Sequence, residues 1–313
     1  MADNLYVLDG AGTGKPRIIA FDARGRFVRQ FGRRGGGPGE FQTPREVFVS
    51  GNGEIVVSDA GNSAFVVFGP NGDHRRNIRF TTSFRPGQNA PRTQGALSDR
   101  RGGVVALTSR ATTDSGMFIT VFRQALEGES APTPLHRFRI DPLRRFAIPA
   151  RDNMPSSMVM RTPMYEADPM IGVLPDGSIV LFNHHEYALK VLDENGRHVR
   201  TIAGPIPAKK TTKQDRDDYH IRQADDWERR NPRQPAPRLP YELPFAEYIS
   251  VLTAIFTEPN RIWVQRRNSD GADRGPIDLL AVGGRYIGTL PAQPLPVAVS
   301  ANGRAAYLVT DDL

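Results

Sequence analysis

The chain has 313 residues, of which 39 % are hydrophobic and 24 % are charged, as in ordinary globular proteins. It has no cysteine, which excludes disulfide scaffolds, thiol nucleophiles and zinc–thiolate sites, and no stretch approaches the about 20 apolar residues of a membrane helix. The formal net charge is +7, and only five of the 41 basic residues are lysines. Since arginine pairs with carboxylate and phosphate, this excess indicates either an anionic partner or a dispersed, solvated arginine surface.

The first predicted strands lie close to the N-terminus, over Leu5–Leu8, Arg17–Phe21 and Phe27–Phe31. Met1-Ala2-Asp3 leads directly into them and carries no signal-peptide pattern. We therefore expect that an export signal has been removed or that the gene product is incomplete.

A unit of two turns then occurs twice along the chain. Its glycines are 19 residues apart in both copies, Gly53 and Gly72 in the first, Gly177 and Gly196 in the second. Each glycine follows Asn or Asp and separates short apolar runs, which is the strongest short hairpin signal because the turn needs a positive φ. Such a repeated four-strand unit is typical of a β-propeller blade.

Two adjacent segments carry a family resemblance. The first is the glycine-rich link 31–41 with Phe41 and Thr43-Pro44, and the second runs from Gly53 through Asp59 and Gly61-Asn62 to Phe68. This pattern resembles the NHL repeat of bacterial six-bladed propellers over about residues 17–80, and again over 170–203, although Ser63 replaces a frequent arginine. The resemblance implies the fold and no single activity, because such propellers include binding modules, lyases and esterases.

The remaining strand patterns predict an all-β protein, a six-bladed β-propeller whose first and last blades are incomplete. Four blades have four strands, and the last has only Pro296–Ser300 and Ala305–Val309. Five blades are possible if these last strands close blade one. A seventh would have to lie in 141–169, which lacks a paired turn, and we do not expect it.

Long connections are predicted on one face of the propeller, here called the loop face. They span 81–94, 141–169 and 203–248, and long loops usually carry function. We interpret 1–313 as a single propeller domain and 203–248 as an inserted, lid-like segment, either a lid over the axis or a packing flap. A capping box at Thr212–Asp215 precedes the helix predicted for Asp217–Arg230.

The loop face also collects basic residues, which would concentrate anions there. The candidate binding residues are Arg33, Arg34, Arg144, Arg145, Arg266 and Arg267.

A polar motif, Asn183-His184-His185-Glu186, follows the second strand of blade four. It suggests either loop hydrogen bonding or an axial site shared with the start of blade two. The candidate catalytic residues are Arg45, Glu46, Asn183, His184 and Glu186. His184 is the candidate metal ligand, although adjacent strand residues point to opposite sides and a shared metal would need the strand to end first.

We therefore expect a non-enzymatic, periplasmic or secreted propeller without a cofactor, whose basic loop face binds a peptide, a glycan or another anionic partner. The alternative is an axial-site lyase or hydrolase assisted by a divalent metal. RNA binding is a third possibility, which the scarcity of loop aromatics disfavours.

Overall fold

The computed structural model describes residues 4–10, 14–79, 92–99, 101–111, 117–128, 131–140, 144–148, 157–161, 163–232, 234–236, 242–269, 271–300 and 302–308. Within them, four sheets have four antiparallel strands, one has three, and a two-stranded hairpin ends the described chain. The predicted β-propeller with incomplete first and last blades is confirmed.

The strands of the blades follow one another in chain order. Blade one contains β1 (Leu5–Asp9), β2 (Arg17–Phe21) and β3 (Phe27–Phe31). Two-residue strands β4 (Arg33–Arg34) and β5 (Glu40–Phe41) pair in the link to blade two. Blade two contains β6 (Pro44–Val49), β7 (Ile55–Asp59), β8 (Ala64–Phe68) and β9 (His74–Arg79). Blade three contains β10 (Arg92–Ser98), β11 (Gly103–Ala111), β12 (Met117–Ala125) and β13 (Thr133–Ile140).

A hairpin of β14 (Arg144–Ile148) and β15 (Ser157–Arg161) separates blades three and four. The segment 141–169 thus holds one pair of strands, although its sequence shows no paired turn. Two strands do not make the seventh blade, which we did not expect. Blade four contains β16 (Met170–Val173), β17 (Ile179–Phe182), β18 (Ala188–Leu192) and β19 (His198–Ala203).

The predicted insertion follows blade four. It contains β20 (Lys209–Lys210), helix α1 (Lys213–Arg230) and β21 (Tyr248–Ile249). Blade five contains β22 (Leu252–Thr257), β23 (Arg261–Arg266), β24 (Ile277–Ala281) and β25 (Tyr286–Leu290). The terminal hairpin contains β26 (Ala298–Val299) and β27 (Ala305–Ala306).

The turn glycines have the backbone that the sequence requires. Gly53, Gly72, Gly177 and Gly196 have φ values of 82°, 82°, 83° and 81°. An L side chain is strained in this region, so glycine fixes each hairpin and its register.

The hydrophobic core lies between the blades. The strand β7 is buried along its whole length, because Val56 packs towards blade three while Ile55 and Val57 pack towards blade one. Similar clusters join blades three and four and blades four and five. Alternating side chains thus cover both faces of each blade.

Arginines join neighbouring blades on the face that carries the hairpin turns. Each guanidinium donates to a main-chain carbonyl of the next unit: Arg76 to Leu126 (2.6 Å), Arg101 to Asp176 (2.7 Å), Arg123 to Gly177 (2.8 Å), Arg200 to Val282 (2.9 Å) and Arg304 to Ala23 (2.8 Å). Part of the arginine excess is therefore structural.

Candidate functional site

A groove of about 810 Å³ opens between blade four and the stem of the insertion. One wall is the loop 184–188, the other is the segment 203–208, and Tyr248 of β21 completes the lining. Both features marked by the sequence, the polar motif and the insertion, meet here. The volume falls within the range of about 300–1,000 Å³ that is usual for ligand pockets.

Tyr187 anchors the wall formed by blade four. Its ring is buried, and its hydroxyl donates to Oδ2 of Asp278 in blade five at 3.0 Å. Burial, and then the Asp278 carboxylate, raises the pKa of Tyr187, so the phenol stays protonated and holds this hydrogen bond. Gly204 packs against the ring, since an added Cβ would lie 2.4 Å from it.

The polar motif lies in this wall with its members in different environments. His184 is half-buried against the ring of Phe182, and burial lowers its pKa. Nε2 of His185 lies 3.0 Å from Oε1 of Glu166. The buried Oδ1 of Asn183 makes no hydrogen bond within the described part of the chain, whereas Glu186 is exposed.

The predicted partners of this motif in blade two have contacts of their own. Glu46 lies on β6, where its Oε1 accepts the N–H of Gly95 in blade three at 3.1 Å. Burial raises the pKa of Glu46, and hydrogen bonds from Gly95, Ser58 and Ala96 oppose that rise. Arg45 is exposed on the same strand. Among the described residues, no hydrogen bond or ion pair joins Arg45 or Glu46 to the blade-four motif.

The candidate anion-binding arginines differ in exposure and in their acidic partners. Arg33 and Arg34 are exposed on β4, and Arg33 pairs with Glu40 at 2.8 Å. Arg144 and Arg145 lie on β14, but their side chains fall outside the described part. The other two arginines, on blade five, already have acidic partners.

Arg266 and Arg267 show how that pairing works. Nε of Arg266 lies 3.4 Å from Asp278. Arg267 pairs with Asp273, donates to the carbonyl of Ser250 at 3.0 Å, and has a side chain that is only 12 % exposed. Its charge is therefore largely compensated inside the fold.

The insertion is docked onto the propeller by an aromatic residue that the sequence did not indicate. Tyr165 is buried and has a φ of 64°, which is unusual for a bulky residue. Its hydroxyl donates to the carbonyl of Asp215 in α1 at 3.0 Å and accepts from Arg222 at 2.8 Å. The guanidinium carbon of Arg267 lies 5.3 Å from the ring centre. Tyr165 thereby ties the helix to blade five.

The helix itself agrees with the sequence pattern. Thr212 is the N-cap, and Asp215 completes the capping box. The helix starts at Lys213, four residues before the predicted Asp217, and has its C-cap at Asn231. Within the described ranges, this helix is not apolar enough to span a membrane, and no cluster of three potential metal-binding His, Cys, Asp or Glu residues occurs.

Of the comparisons with known proteins, the match to a family model supports the fold. A family model, DUF5128, described as a 6-bladed beta-propeller, matches residues 1–89. A proposed exported protein of Bacteroides fragilis shares 12 % identity, with a TM-score of 0.44 and coverage of 93 % of this chain and 69 % of that one. The virginiamycin B lyase of Staphylococcus aureus shares 11 % identity, with a TM-score of 0.39 and coverage of 93 % and 74 %. No curated protein sequence matches. The N-terminal part of the chain is thus similar to six-bladed β-propellers.

Proposed function

We propose that this protein is a non-enzymatic binding propeller and that the groove beside blade four holds a segment of a partner protein. The observation that carries the proposal is the meeting of the 184–188 loop and the insertion in one groove. Its lining combines aromatic and aliphatic surface with a few polar groups, the usual composition of a recognition site.

Tyr248 supplies the most direct test. It is 40 % exposed and lines the groove, and exposed aromatic side chains often dominate binding energy. We would select a random dodecapeptide library on the protein and screen a glycan array in parallel. Tyr248→Ala should abolish binding of the selected peptides.

The matched control is Phe27→Ala, which removes another exposed aromatic side chain from blade one, outside the groove. It should leave binding intact. Glycan binding without peptide binding would replace the proposed partner class, and equal effects of the two variants would overturn the groove as the site. The proposal retains the periplasmic or secreted location, which fractionation of the native host would test.

One observation favours a second candidate, an enzyme of the lyase or hydrolase type. Glu46 is partly buried at the start of blade two, and burial raises its pKa against the hydrogen bonds that it accepts, as expected for a general acid. Elemental analysis tests the metal-assisted form. Near-stoichiometric divalent metal that is lost in His184→Ala would support it, and metal-free wild-type protein would count against it.

A further inference from the structure

The segment Gly204–Ala208, here called the strap, forms one wall of the groove and is anchored at both ends. Gly204 donates its N–H to the carbonyl of Tyr187 at 2.8 Å. At the other end, Lys209 of β20 pairs with Ile249 of β21. Between these points, the side chains of Ile206 and Ala208 pack against the core shared by blades four and five. The strap is therefore fixed to the propeller.

Two prolines restrict the backbone of the strap, which bends at Pro205 and is extended again at β20. Pro205 and Pro207 have fixed φ values, and a residue that precedes proline is driven away from the helical region. Gly204 and Ile206 are such residues. In an extended chain, main-chain groups two residues apart point to the same side.

This parity determines which main-chain groups face the groove. Lys209 and Thr211 direct their main-chain groups to β21, with which they pair. Ala208 and Ile206, at the alternate positions, therefore direct their N–H groups away from β21, and both residues line the groove. Within the described chain, the N–H groups of Ile206 and Ala208 donate no hydrogen bond to the protein.

We infer that the groove takes its partner as an extended peptide that pairs, through its own main chain, with Ile206 and Ala208 of the strap. Alternate peptide side chains would then face Tyr248 and His184, while the others face solvent. This inference rests on the proposed function and specifies its partner as an extended peptide recognised through its backbone.

The first test uses the peptides enriched from the dodecapeptide library. Each peptide amide is N-methylated in turn, and affinity is measured by fluorescence anisotropy. Main-chain pairing predicts a period of two, with about five- to tenfold loss at every second residue of the bound segment, since one hydrogen bond contributes about 1 kcal/mol. Losses without that period would overturn the inference and leave the proposed function standing. If no peptide shows binding that depends on Tyr248, both fail.

The second test removes a donor from the strap. Ala208→Pro deletes the N–H, whereas Ala208→Gly keeps it and loses only the methyl group. We expect Ala208→Pro to weaken the peptide by about fivefold or more and Ala208→Gly by less. Thermal unfolding shows whether both variants are folded. If Ala208→Pro is not folded, the N-methyl scan on the wild type decides. Equal affinities of two folded variants would contradict pairing at this position.

Discussion

Arg304 of the terminal hairpin donates from Nη1 to the carbonyl of Ala23 in blade one at 2.8 Å, across 281 residues of sequence. The contact has the same form as that between Arg101 of blade three and Asp176 of blade four. It places the terminal hairpin beside blade one, as successive blades lie beside one another. The two incomplete units therefore adjoin in the ring.

Arg304→Ala should loosen this junction. We expect a loss of about 1 kcal/mol in the free energy of unfolding, the usual contribution of one hydrogen bond, and faster proteolysis near the N-terminus. Arg24→Ala, an exposed arginine in the same blade-one turn, is the control and should be close to neutral. Denaturant titration compares them, and equal stability of Arg304→Ala and the wild type would argue against a closing role.

Gly204→Ala should disturb the wall of the groove that the strap forms. The new Cβ would lie 2.4 Å from the ring of Tyr187, so either the ring or the strap must move, at a cost of about 1–3 kcal/mol. Gly288→Ala is the control, because no atom lies within 4 Å of its added Cβ. Thermal unfolding and peptide binding should both be impaired only in Gly204→Ala. Unchanged binding in that variant would show that the strap is not part of the site.

The propeller was predictable because its turns have a local chemical requirement. Gly53 and Gly177 need a positive φ, and that requirement is visible in the sequence. The bridge from Arg123 to Gly177 was not predictable, since its acceptor is a main-chain carbonyl 54 residues away, and any residue offers a carbonyl.

The site was only half predictable for a similar reason. The His184-His185 pair stood out as a motif, whereas Tyr165 gains its role from contacts with Asp215, Arg222 and Arg267. None of those pairings has a sequence signature. Arg267 illustrates the converse, a residue that the sequence offered as surface charge and that Asp273 and Ser250 already engage.

Glu46 should make the protein less stable as pH rises. Burial raises the pKa of Glu46 in the folded state above its ordinary value of 4.5, so the folded protein holds a proton that the unfolded chain releases. The side chain's contribution is greatest below pH 4.5 and is lost as pH rises through the folded pKa. Glu46→Gln should flatten this slope, and Glu247→Gln, with a side chain that is 67 % exposed, should not. Denaturant titrations between about pH 4 and about pH 8 give the free energy of unfolding of each variant as a function of pH. If the curves of Glu46→Gln and the wild type are parallel, Glu46 does not produce the effect.

The stability contribution of His184 should have the opposite pH dependence and be lost as pH falls. Burial lowers the pKa of His184 below 6.5, so the unfolded chain binds the proton first. The contribution is present above pH 6.5 and is lost as pH falls through the folded pKa. His184→Gln should remove that loss, whereas His198→Gln, at an exposed position, should retain it. If the free energy of unfolding of His184→Gln still falls with pH below 6.5 as it does in the wild type, another group produces that dependence.

The basic loop face should retain heparin in a salt-dependent manner. Arg144 and Arg145 carry this prediction, because Arg266 and Arg267 already have acidic partners. Arg144→Glu with Arg145→Glu should elute at lower salt than the wild type, because two positive charges become two negative ones. The retention itself should fall as salt rises, since salt screens charge contacts over about 8–10 Å at physiological ionic strength. Arg24→Glu with Arg197→Glu makes the same change in net charge at two exposed positions of the hairpin-turn face and should elute close to the wild type. If the two double variants shift equally, retention follows net charge and no local patch exists. Retention that does not respond to salt would exclude an electrostatic mechanism altogether.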